Sequence, residues 1–401
     1  MLEFEEARKK VLSRTRVMEP EYVPLAKALG RVLAEDIKAK EPIPHFRKAT
    51  MDGYAVRSQD LSVVKEDHPI TLEVIEDLPA GKISRTRLQG GKAISIMTGA
   101  AIPEAADVVV KVEDTERRGK KVIVRVRLAA GANIAEIGED VARGELVLSR
   151  GTVIGAAEMG MLASLGMKIV KVSKKPSIAV IATGSELVEP GTKLTGGKIR
   201  NSNAYALFSL ALKAGAEPKY LGIVPDQKSE LRKKLNQARK FELVVLSGGV
   251  SVGGYDLVKD QLKEFGVRSV FWQVQIKPGK PMFFGTRRHH LVFGLPGNPV
   301  SAMLTFQLFV RPAIDQMLGK NKIGMPAGKA ILLDNLTLKP GRKQFIRGIL
   351  DQTGMVMQVL PFPFQKSGIL KSMVKSNVLI VVPPEIEAME KGEEVEILFL
   401  D

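Results

Sequence analysis

The sequence predicts a multidomain α/β protein with a doubly wound sheet at its centre. Between residues 176 and 318, continuous apolar runs alternate with stretches of helical periodicity, which indicates strands covered on both faces by helices. From about residue 50 to 130 and again after residue 321, the runs are short, β-type and separated by Gly and Pro, which is typical of smaller β-rich domains. The length of 401 residues accommodates roughly two to four domains.

The composition excludes several kinds of site. The chain has no Cys and only four His, at positions 45, 68, 289 and 290. Disulfides, thiolate metal sites and cysteine catalysis are therefore excluded, and a zinc hydrolase or a histidine-based triad is disfavoured. Any bound metal should be a hard cation held by carboxylates.

The chain is strongly basic, with 60 Lys and Arg against 44 Asp and Glu and a formal net charge of +16. The basic residues are dispersed among acidic ones, and one Trp and five Tyr offer few rings on which nucleic-acid bases could stack. We interpret the charge as a solvated, ion-pair-rich surface that attracts small anions. Nucleic-acid binding is the weaker hypothesis, and it predicts steeply salt-dependent binding to generic DNA.

One segment raises the question of a membrane span. Residues 291–310 carry no charge over a length that could cross a bilayer. Glycine and proline residues at 294–299 interrupt the segment, so a strand, a tight turn and a buried helix are expected instead. The first ten residues are charged, unlike a secretory signal. We therefore expect a soluble, cytoplasmic protein that inserts into no membrane.

The segments before the central sheet alternate between helix and strand. The spacing of Phe4, Ala7 and Val11 predicts an N-terminal helix, and a second helix is expected after Pro24. From about residue 50 to 130, the runs ITLEVIEDL, KAISIMTG, DVVVKVED and KVIVRVRL predict a β-rich insertion. Residues 151–167 return to helix, with Gly166 as its C-cap.

The central domain is predicted to alternate strand and helix, and the remaining chain to form strands. Its strands are expected at PSIAVIATG, YLGIV, ELVVLSGG, VRSVFWQVQI and HLVFGLPG, with helices near 203–214, 228–239, 256–265 and 299–318. The last 80 residues contain KAILLDNLTL, MVMQVLPF, SNVLIVVP and EEVEILFL, which predict a small barrel or sandwich.

Polar and glycine-rich segments follow five consecutive strands of the predicted sheet. Ligands of open α/β sheets bind beyond the carboxyl ends of the strands, so the convergence of these segments indicates a site. The residues in question are Thr183, Gly184, Ser185 and Glu186; Asp226; Ser247 to Asp256; Lys277 and Lys280; and Pro296 to Asn298.

Each of these segments has a functional and a purely structural interpretation. The loop from Ser247 to Gly254 lets the backbone approach a phosphate closely, but it lacks a Walker ending, and alone it is more often a plain turn. Glu186, Asp226 and Asp256 could jointly hold Mg²⁺, or each could cap a helix. Lys277 and Lys280 could bind a compact oxyanion, or form a solvated turn.

Three further motifs have no clear packing role. Asp52 lies in the motif TMDGYA at 50–55, and Thr98 lies in MTGA at 97–100. In the C-terminal region, cations and a hydroxyl occur at Arg342, Arg347, Lys366 and Ser367. Alone, these are ordinary turn residues.

Together these motifs make the sequence strongly similar to the molybdopterin molybdenumtransferase family, which includes MoeA and the gephyrin E domain. The resemblance spans nearly the whole chain in family order. The matching segments are Thr50–Ala55, Met97–Ala100 with Pro103 and Asp107, Gly138–Val141, Ile181–Glu189, Leu246–Asp256, Lys277–Pro281, Gly294–Ser301 and Arg342–Gly348.

The resemblance implies four domains and a homodimer. A helical linker domain is expected from residues 1–47 and 135–173, and a β-rich insertion domain from 48–134. A MogA-like α/β domain, shared with molybdopterin adenylyltransferases, is expected at 174–320, and a C-terminal β-barrel at 321–401. The active cleft would lie between the α/β domain of one subunit and the insertion domain of the other.

The implied reaction takes adenylylated molybdopterin and molybdate, or tungstate, with Mg²⁺, and releases AMP. The implied metal ligands are Glu186, Asp226 and Asp256, and the implied catalytic residues are Asp52, Thr98, Asp140, Asp226 and Asp256. The implied binding residues for substrate are Thr183, Gly184, Ser185, Ser247, Gly248, Gly249, Ser251, Gly253, Pro296, Asn298, Lys277, Lys280, Arg347 and Ser367. Molybdopterin adenylyltransferase and the apoproteins of molybdoenzymes or tungstoenzymes would be partners.

Three departures from the family pattern bear on activity. Arg47 to Thr50 stand where the family has an acidic or Asn residue and a Ser, Ala135 stands at a common Arg, and Lys366 replaces a usual Gly. The loss of a cation at Ala135 puts the role of Asp140 in doubt and is consistent with tungstate as the oxyanion. The alternative to an enzyme is a non-catalytic dimeric scaffold that binds pterin, as in gephyrin.

Overall fold

The computed structural model describes residues 1–65, 67–249, 257–354 and 356–400. The chain divides into two compact units. The first unit comprises Met1–Glu35, Arg150–Gly155 and Ile169–Asp401, and the second comprises Asp36–Ser149 and Ala156–Lys168. In the part of the chain that the structure describes, we find no helix with the length and apolar character of a membrane span.

The first unit contains the predicted α/β sheet, which is mixed and not purely parallel. Its six strands lie in the order Glu217–Val224, Ser177–Thr183, Leu243–Ser247, His290–Leu295, Phe283–Arg287 and Arg268–Trp272. The first four are parallel. Strand Phe283–Arg287, which the sequence analysis missed, runs antiparallel to both of its neighbours.

Alternate side chains of the central strands enter two separate hydrophobic cores. Ile178, Val180 and Val245 belong to one core, whereas Ile181 and Val244 belong to the other. Because both faces are buried, these strands have continuous apolar sequences, and the doubly wound prediction is confirmed. The helices of this domain are Asn203–Ala214, Lys228–Ala238, Leu257–Glu264, Pro299–Thr305 and Arg311–Met317, with a π-helical turn at Phe306–Val310.

The N-terminal region is partly as predicted. Helix Phe4–Leu12 forms, and the Phe4 ring packs edge-on against Phe309 and Phe345, with centroid distances of 5.5 and 5.3 Å. The second predicted helix is wrong. Strand Pro20–Pro24 pairs with Ile169–Ser173, and only a 3₁₀ turn follows at Leu25–Lys27.

The C-terminal strands close into the predicted barrel. The closing order is Lys343–Asp351, Gln358–Pro361, Ala327–Leu332, Glu394–Phe399 and Val378–Val382, and the last of these pairs back to the first. Strand Ile276–Lys277 adds to this sheet beside Lys343 and Gln344. Smaller elements of the first unit are the pair Leu336–Thr337 and Ala388–Met389, the pair Leu187–Val188 and Ile199–Arg200, and helix Lys371–Lys375.

The second unit contains the predicted β-rich insertion. Its six-stranded sheet has the order Val108–Lys111, Gly53–Val56, Lys92–Ile96, Ile70–Leu78, Lys121–Val124 and Thr115–Arg118. Its other elements are strand pairs Ile37–Lys38 with Leu146–Leu148 and Lys48–Ala49 with Ile134–Ala135, helices Ser58–Leu61 and Ala156–Ser164, and a 3₁₀ turn at Val112–Asp114. Gly166 has φ +73° after helix Ala156–Ser164, as expected of a C-terminal cap.

Candidate active site

Four strand ends of the α/β sheet converge on one open cavity. The cavity has a volume of about 750 Å³. It is lined by Thr183, Gly184, Glu186, Leu187, Ile199 to Asn203, Asp226, Ser247 to Gly249, Pro281, Pro296 to Pro299, Gly368 and Leu370. The predicted convergence therefore holds for the segments at 183–186, 226, 247–249 and 296–298.

Gly248 and Gly249 follow strand Leu243–Ser247 and allow the ends of two neighbouring strands to lie in contact. A Cβ on Gly248 would lie 2.4 Å from the carbonyl oxygen of Thr183, and a Cβ on Gly249 would lie 2.9 Å from the Thr183 hydroxyl. Both glycines also have positive φ, at +92° and +69°, which other residues adopt only with strain. Only glycine therefore allows the two strand ends to approach this closely.

Asn203 connects this loop by hydrogen bonds to the loop that follows strand His290–Leu295. Its Nδ2 donates to the Ser247 hydroxyl at 2.9 Å and to the carbonyl oxygen of Gly297 at 2.8 Å. Asn203 and Arg200 both line the cavity, although neither was predicted as a site residue. The polar run NSN immediately before a predicted helix is the signal that could have identified Asn203.

Two carboxylates enter the cavity from adjacent strand ends. A Cβ at Gly184 would stand 2.6 Å from each carboxylate oxygen of Glu186, so the missing side chain makes room for that group. Oδ2 of Asp226 accepts a hydrogen bond of 3.0 Å from the Ser185 backbone N–H, and the Asp226 N–H donates to the Ser185 hydroxyl at 2.9 Å. Both carboxylates are thus held at the same edge of the sheet.

The third predicted metal ligand cannot be placed. Asp256, with Ser251 and Gly253, lies outside the described residues. Among the residues that are described, no three His, Asp or Glu side chains gather into a metal-binding group. The pair formed by Glu186 and Asp226 offers two anionic, hard oxygen donor groups, which are the type that Mg²⁺ prefers.

Substituting Gly184 tests whether it accommodates the Glu186 carboxylate. In Gly184→Ala the new methyl group would displace that carboxylate, and a φ of +148° adds backbone strain. We expect Mn²⁺, used as a probe, to bind about tenfold more weakly in calorimetry. Gly197→Ala, in the next loop along the chain, is the matched control, because nothing lies within 4 Å of its Cβ position. Equal affinities of the two variants would contradict this interpretation.

A second cavity adjoins the first and is lined by cations. Its volume is about 640 Å³, and it shares Pro281, Pro296 and Asn298 with the first cavity. Five basic residues and no acidic residue line it. The basic residues are Lys277, Lys280, Arg342, Arg347 and Lys366.

Lys277 lines this cavity as predicted residues of the site should, but it belongs to a different sheet from the predicted one. Lys277 was predicted to follow a strand of the α/β sheet, but it belongs to strand Ile276–Lys277, which pairs with the barrel strand Lys343–Asp351. That pairing brings Arg342 and Gln344, which the sequence analysis did not assign to the site, into the same wall. Gln344 is buried, with 1% of its surface exposed.

Arg347 is the buried cation of this cavity, with 1% of its surface exposed. Its guanidinium donates to the Ser372 hydroxyl at 3.1 Å, to the carbonyl oxygen of Phe364 at 3.1 Å and to that of Lys366 at 3.4 Å. Burial lowers the pKa of Arg347 to about 10, so the group stays charged at neutral pH. Within the described chain, no carboxylate forms an ion pair with it.

A hydrogen bond links the two cavities across their shared wall. Nδ2 of Asn298 donates to the Ser367 hydroxyl at 2.9 Å, and the Ser367 carbonyl accepts from the Val300 N–H at 3.1 Å. The barrel loop that carries Ser367 is therefore attached to the start of helix Pro299–Thr305. The predicted binding residues Asn298 and Ser367 thus lie in direct contact.

In the second unit, the two motifs at 50–55 and 97–100 meet. Oδ1 of Asp52 accepts hydrogen bonds from the Thr98 backbone N–H at 2.7 Å and from its hydroxyl at 2.8 Å. These bonds lower the pKa of Asp52, with the backbone bond as the larger cause. The carboxylate is exposed and ionised at neutral pH.

Two of the three departures from the family pattern, at Arg47 to Thr50 and at Ala135, also lie in this unit, as does Asp140. Asp140 is exposed, and its backbone N–H donates to the Ile43 carbonyl. Ala135 is buried and pairs with Lys48 across two short strands. The adjacent Arg47 forms an ion pair of 3.0 Å with Glu136, so the cation next to Ala135 already has a partner within its own chain.

Comparison with known proteins defines the class of the chain. A family model described as the MoeA N-terminal region (domains I and II) matches residues 2–166. A probable molybdopterin binding domain matches 179–316, and the MoeA C-terminal region (domain IV) matches 329–400. The chain therefore has an α/β domain that matches the model of a probable molybdopterin binding domain, with MoeA-type regions before and after it.

Full-length relatives define the family. Molybdopterin molybdenumtransferase of Bacillus subtilis (strain 168) is 33% identical, over 99% of this chain and 93% of its own length. Molybdopterin molybdenumtransferase 2 of Mycobacterium tuberculosis (strain ATCC 25618 / H37Rv) is 35% identical over 99% of both chains. The crystal structure of a molybdopterin biosynthesis MoeA protein from Pyrococcus horikoshii OT3 is 36% identical, with a TM-score of 0.86 over 100% of both chains. The chain belongs to the molybdopterin molybdenumtransferase (MoeA) family, and the resemblance in its sequence is confirmed.

Proposed function

We propose that this protein acts in molybdenum cofactor biosynthesis and inserts molybdate or tungstate into adenylylated molybdopterin, with cleavage of the phosphoanhydride and release of AMP. The observation that carries the proposal is the pair of adjoining cavities. One cavity has a glycine-rich backbone wall and two carboxylates, and the other has five cations and no acid. A pterin nucleotide and a small oxyanion would thus be held side by side.

The donor set of the first cavity suits Mg²⁺. Glu186 and Asp226 would hold the ion, with Asp256 as the proposed third ligand. When bound, Mg²⁺ neutralises charge on phosphate oxygens and stabilises the leaving phosphate. The Ser185–Asp226 hydrogen bonds fix one carboxylate, and the space at Gly184 accommodates the other.

The remaining residues of the two cavities would bind and orient the substrates. The backbone at Gly248 and Gly249, which lines the first cavity, would approach the phosphate and pterin of the nucleotide, with Thr183, Ser185, Ser247 and Pro296 around it. Lys277, Lys280, Arg347 and Ser367 would hold the oxyanion by charge and hydrogen bonds. Asn298, which contacts Ser367, would keep the two substrates at a fixed separation.

AMP release is the direct test of this function. Purified protein is mixed with adenylylated molybdopterin and Mg²⁺, and with molybdate, tungstate or sulfate in separate reactions. We expect AMP release that depends on molybdate or tungstate and is absent with sulfate. Binding of the pterin nucleotide without any AMP release would overturn the proposal in favour of a non-catalytic scaffold.

The exposed helix Ala156–Ser164 supports a homodimer. Its sequence AAEMGMLAS is predominantly apolar, yet only Leu162 is buried within the chain. A helix that is apolar on its exposed faces requires a partner, and we propose a second copy of this protein. In the dimer, Asp52, Thr98 and Asp140 of one subunit would serve the cavities of the other.

Gly160→Glu should dissociate this dimer. Nothing lies within 4 Å of a Cβ at Gly160, so the longer side chain is tolerated within the subunit but places a charge in the proposed interface. We expect a monomer in light-scattering chromatography. The control is Val63→Glu, which adds the same charge at an exposed apolar residue of the same unit. If Gly160→Glu stays dimeric, this helix is not the interface.

The substrates imply the neighbours of this protein in the reaction sequence. A molybdopterin adenylyltransferase would supply the adenylylated pterin, and apoproteins of molybdoenzymes or tungstoenzymes would receive the product. We place these exchanges in the cytoplasm.

A further inference from the structure

Arg200 is the one cation among the described residues that line the first cavity. Strand Ile199–Arg200 pairs in parallel with Leu187–Val188, the short strand that directly follows Glu186. The Arg200 side chain is exposed, and its guanidinium donates to the Thr192 carbonyl at 3.4 Å. A guanidinium has five N–H donors, so most of them are available to a ligand in the cavity.

Two acids line the same cavity without neutralising Arg200. Within the described chain, neither Glu186 nor Asp226 forms an ion pair with it. Asp226 accepts from the Ser185 N–H instead, and Glu186 occupies the space at Gly184. An arginine that stays apart from both carboxylates of its cavity can bind a third, anionic group.

A hydrogen-bond network next to the cavity fixes the segment that carries Arg200. Glu189 accepts from the Tyr205 hydroxyl at 3.2 Å and from the Tyr220 hydroxyl at 2.6 Å. Burial, and then the bond to Glu189, raise the pKa of Tyr220, so its hydroxyl stays protonated. The same hydroxyl oxygen accepts from Nδ2 of Asn201 at 2.7 Å, and Asn201 is buried with 1% of its surface exposed. The network therefore holds the chain beside Arg200 in place and also occupies the oxygens of the neighbouring Glu189.

The charges of the cavity indicate what kind of ligand Arg200 binds. Glu186 and Asp226 would offset the double positive charge of one Mg²⁺, so the ion held by both leaves the negative charge of a phosphoanhydride largely uncompensated. The planar fork of an arginine binds phosphate oxygens through two parallel hydrogen bonds. Lys277 and Lys280 line the second cavity, whereas Arg200 lines the first.

We propose that Arg200 binds a phosphate group of the adenylylated substrate, either the one that leaves in AMP or the one that stays on the pterin. The inference rests on the proposed function, because that reaction supplies the phosphoanhydride. The guanidinium donates to the phosphate oxygens and holds the group beside the two carboxylates. Stacking of the guanidinium on the adenine ring is the competing role, and it predicts a different response to adenosine.

Calorimetric titration with four probes tests the proposal. The probes are AMP, adenosine, molybdopterin and dephosphorylated molybdopterin, each with Mg²⁺ and with EDTA. Arg200→Gln should weaken the binding of AMP or of molybdopterin at least tenfold, with or without the metal, and should leave the two probes without phosphate unaffected. Arg200→Lys keeps the charge but loses the fork, and we expect a loss of about threefold. The control is Lys193→Gln, which removes the same charge from an exposed position between the two short strands and should bind every probe like the parent protein.

The outcomes separate this inference from the proposed function. If the parent protein releases AMP in the transferase assay but Arg200→Gln binds AMP and molybdopterin as tightly as the parent does, the inference is wrong and the function stands. Weaker adenosine binding in Arg200→Gln, or an equal loss in Lys193→Gln, would also overturn the inference. A parent protein that binds a phosphate probe through Arg200 but releases no AMP from the pterin nucleotide would contradict the function alone, and one that binds neither phosphate probe would contradict both.

Discussion

Asp226→Asn is expected to lower AMP release at least a thousandfold, or roughly 4 kcal/mol in the activation free energy. The substitution removes the negative charge but retains an oxygen that can accept from the Ser185 N–H, and the backbone bond to the Ser185 hydroxyl is unaffected. The loop should therefore keep its conformation while the affinity for a divalent cation falls. Stopped assays of AMP, together with Mn²⁺ titration by electron paramagnetic resonance, measure both effects.

Asp351→Asn provides the matched control. Asp351 is also an exposed acid whose Oδ1 accepts from the backbone N–H and hydroxyl of a nearby residue, Thr353, but it lies in the barrel. We expect normal AMP release and normal Mn²⁺ binding in this variant. Undiminished turnover in Asp226→Asn would remove Asp226 from the proposed cation site.

Mixed dimers extend the same test to the second unit. Asp52→Asn is expected to be inactive as a homodimer, and so is Asp226→Asn. If each active site takes Asp52 from one subunit and Asp226 from the other, random mixing yields half heterodimers, and each has one intact site. Activity should then return to roughly a quarter of the parent value, by mass action between equal amounts of two subunits. A mixture that stays inactive would contradict an active site shared between subunits.

The first cavity could be predicted from the sequence because one rule places its parts. Parallel strands end at a common edge, so locating the strands at 177–183 and 243–247 also located Glu186 and Gly248. The apolar runs of these strands are continuous because both faces are buried. The prediction failed where that rule does not apply, at the strand Phe283–Arg287. Its turn residues Arg288 and His289 lack the Gly or Asn that normally signals a tight hairpin.

The second cavity could be predicted only in part because long-range pairing builds it. Lys277, Lys280 and Arg347 were identified as cations, but nothing local indicates that Ile276–Lys277 joins the barrel sheet. Residues such as Gln344 enter the wall through that pairing. The helix predicted after Pro24 is wrong for a similar reason. Strand Pro20–Pro24 pairs with the distant strand Ile169–Ser173, and nothing local in the sequence indicates that pairing. Tertiary pairing overrides local propensity at such positions.

Arg347→Gln is expected to weaken molybdate binding about a hundredfold, or roughly 3 kcal/mol. The guanidinium is buried beside the basic cavity, and in the described residues no carboxylate offsets its charge. An oxyanion in the cavity would supply that missing charge, so the interaction is stronger than one made across solvent. The Nε2 of Gln corresponds in position to the Nε of Arg347, so it can still donate to the Ser372 hydroxyl, which limits the damage to the barrel. Isothermal titration with molybdate gives the affinity.

Lys366→Gln distinguishes the effect of burying a positive charge from the effect of removing one positive charge from the cavity. Lys366 lines the same cavity but is exposed, so removing the same unit charge there should weaken binding only about threefold. A thermal readout follows from linkage: at a hundred times the dissociation constant, molybdate should stabilise the parent protein by about 2.7 kcal/mol. The same concentration should stabilise Arg347→Gln far less. Equal losses in the two variants would mean that the cavity acts only through its summed charge, and that the buried position of Arg347 contributes nothing specific to holding the anion.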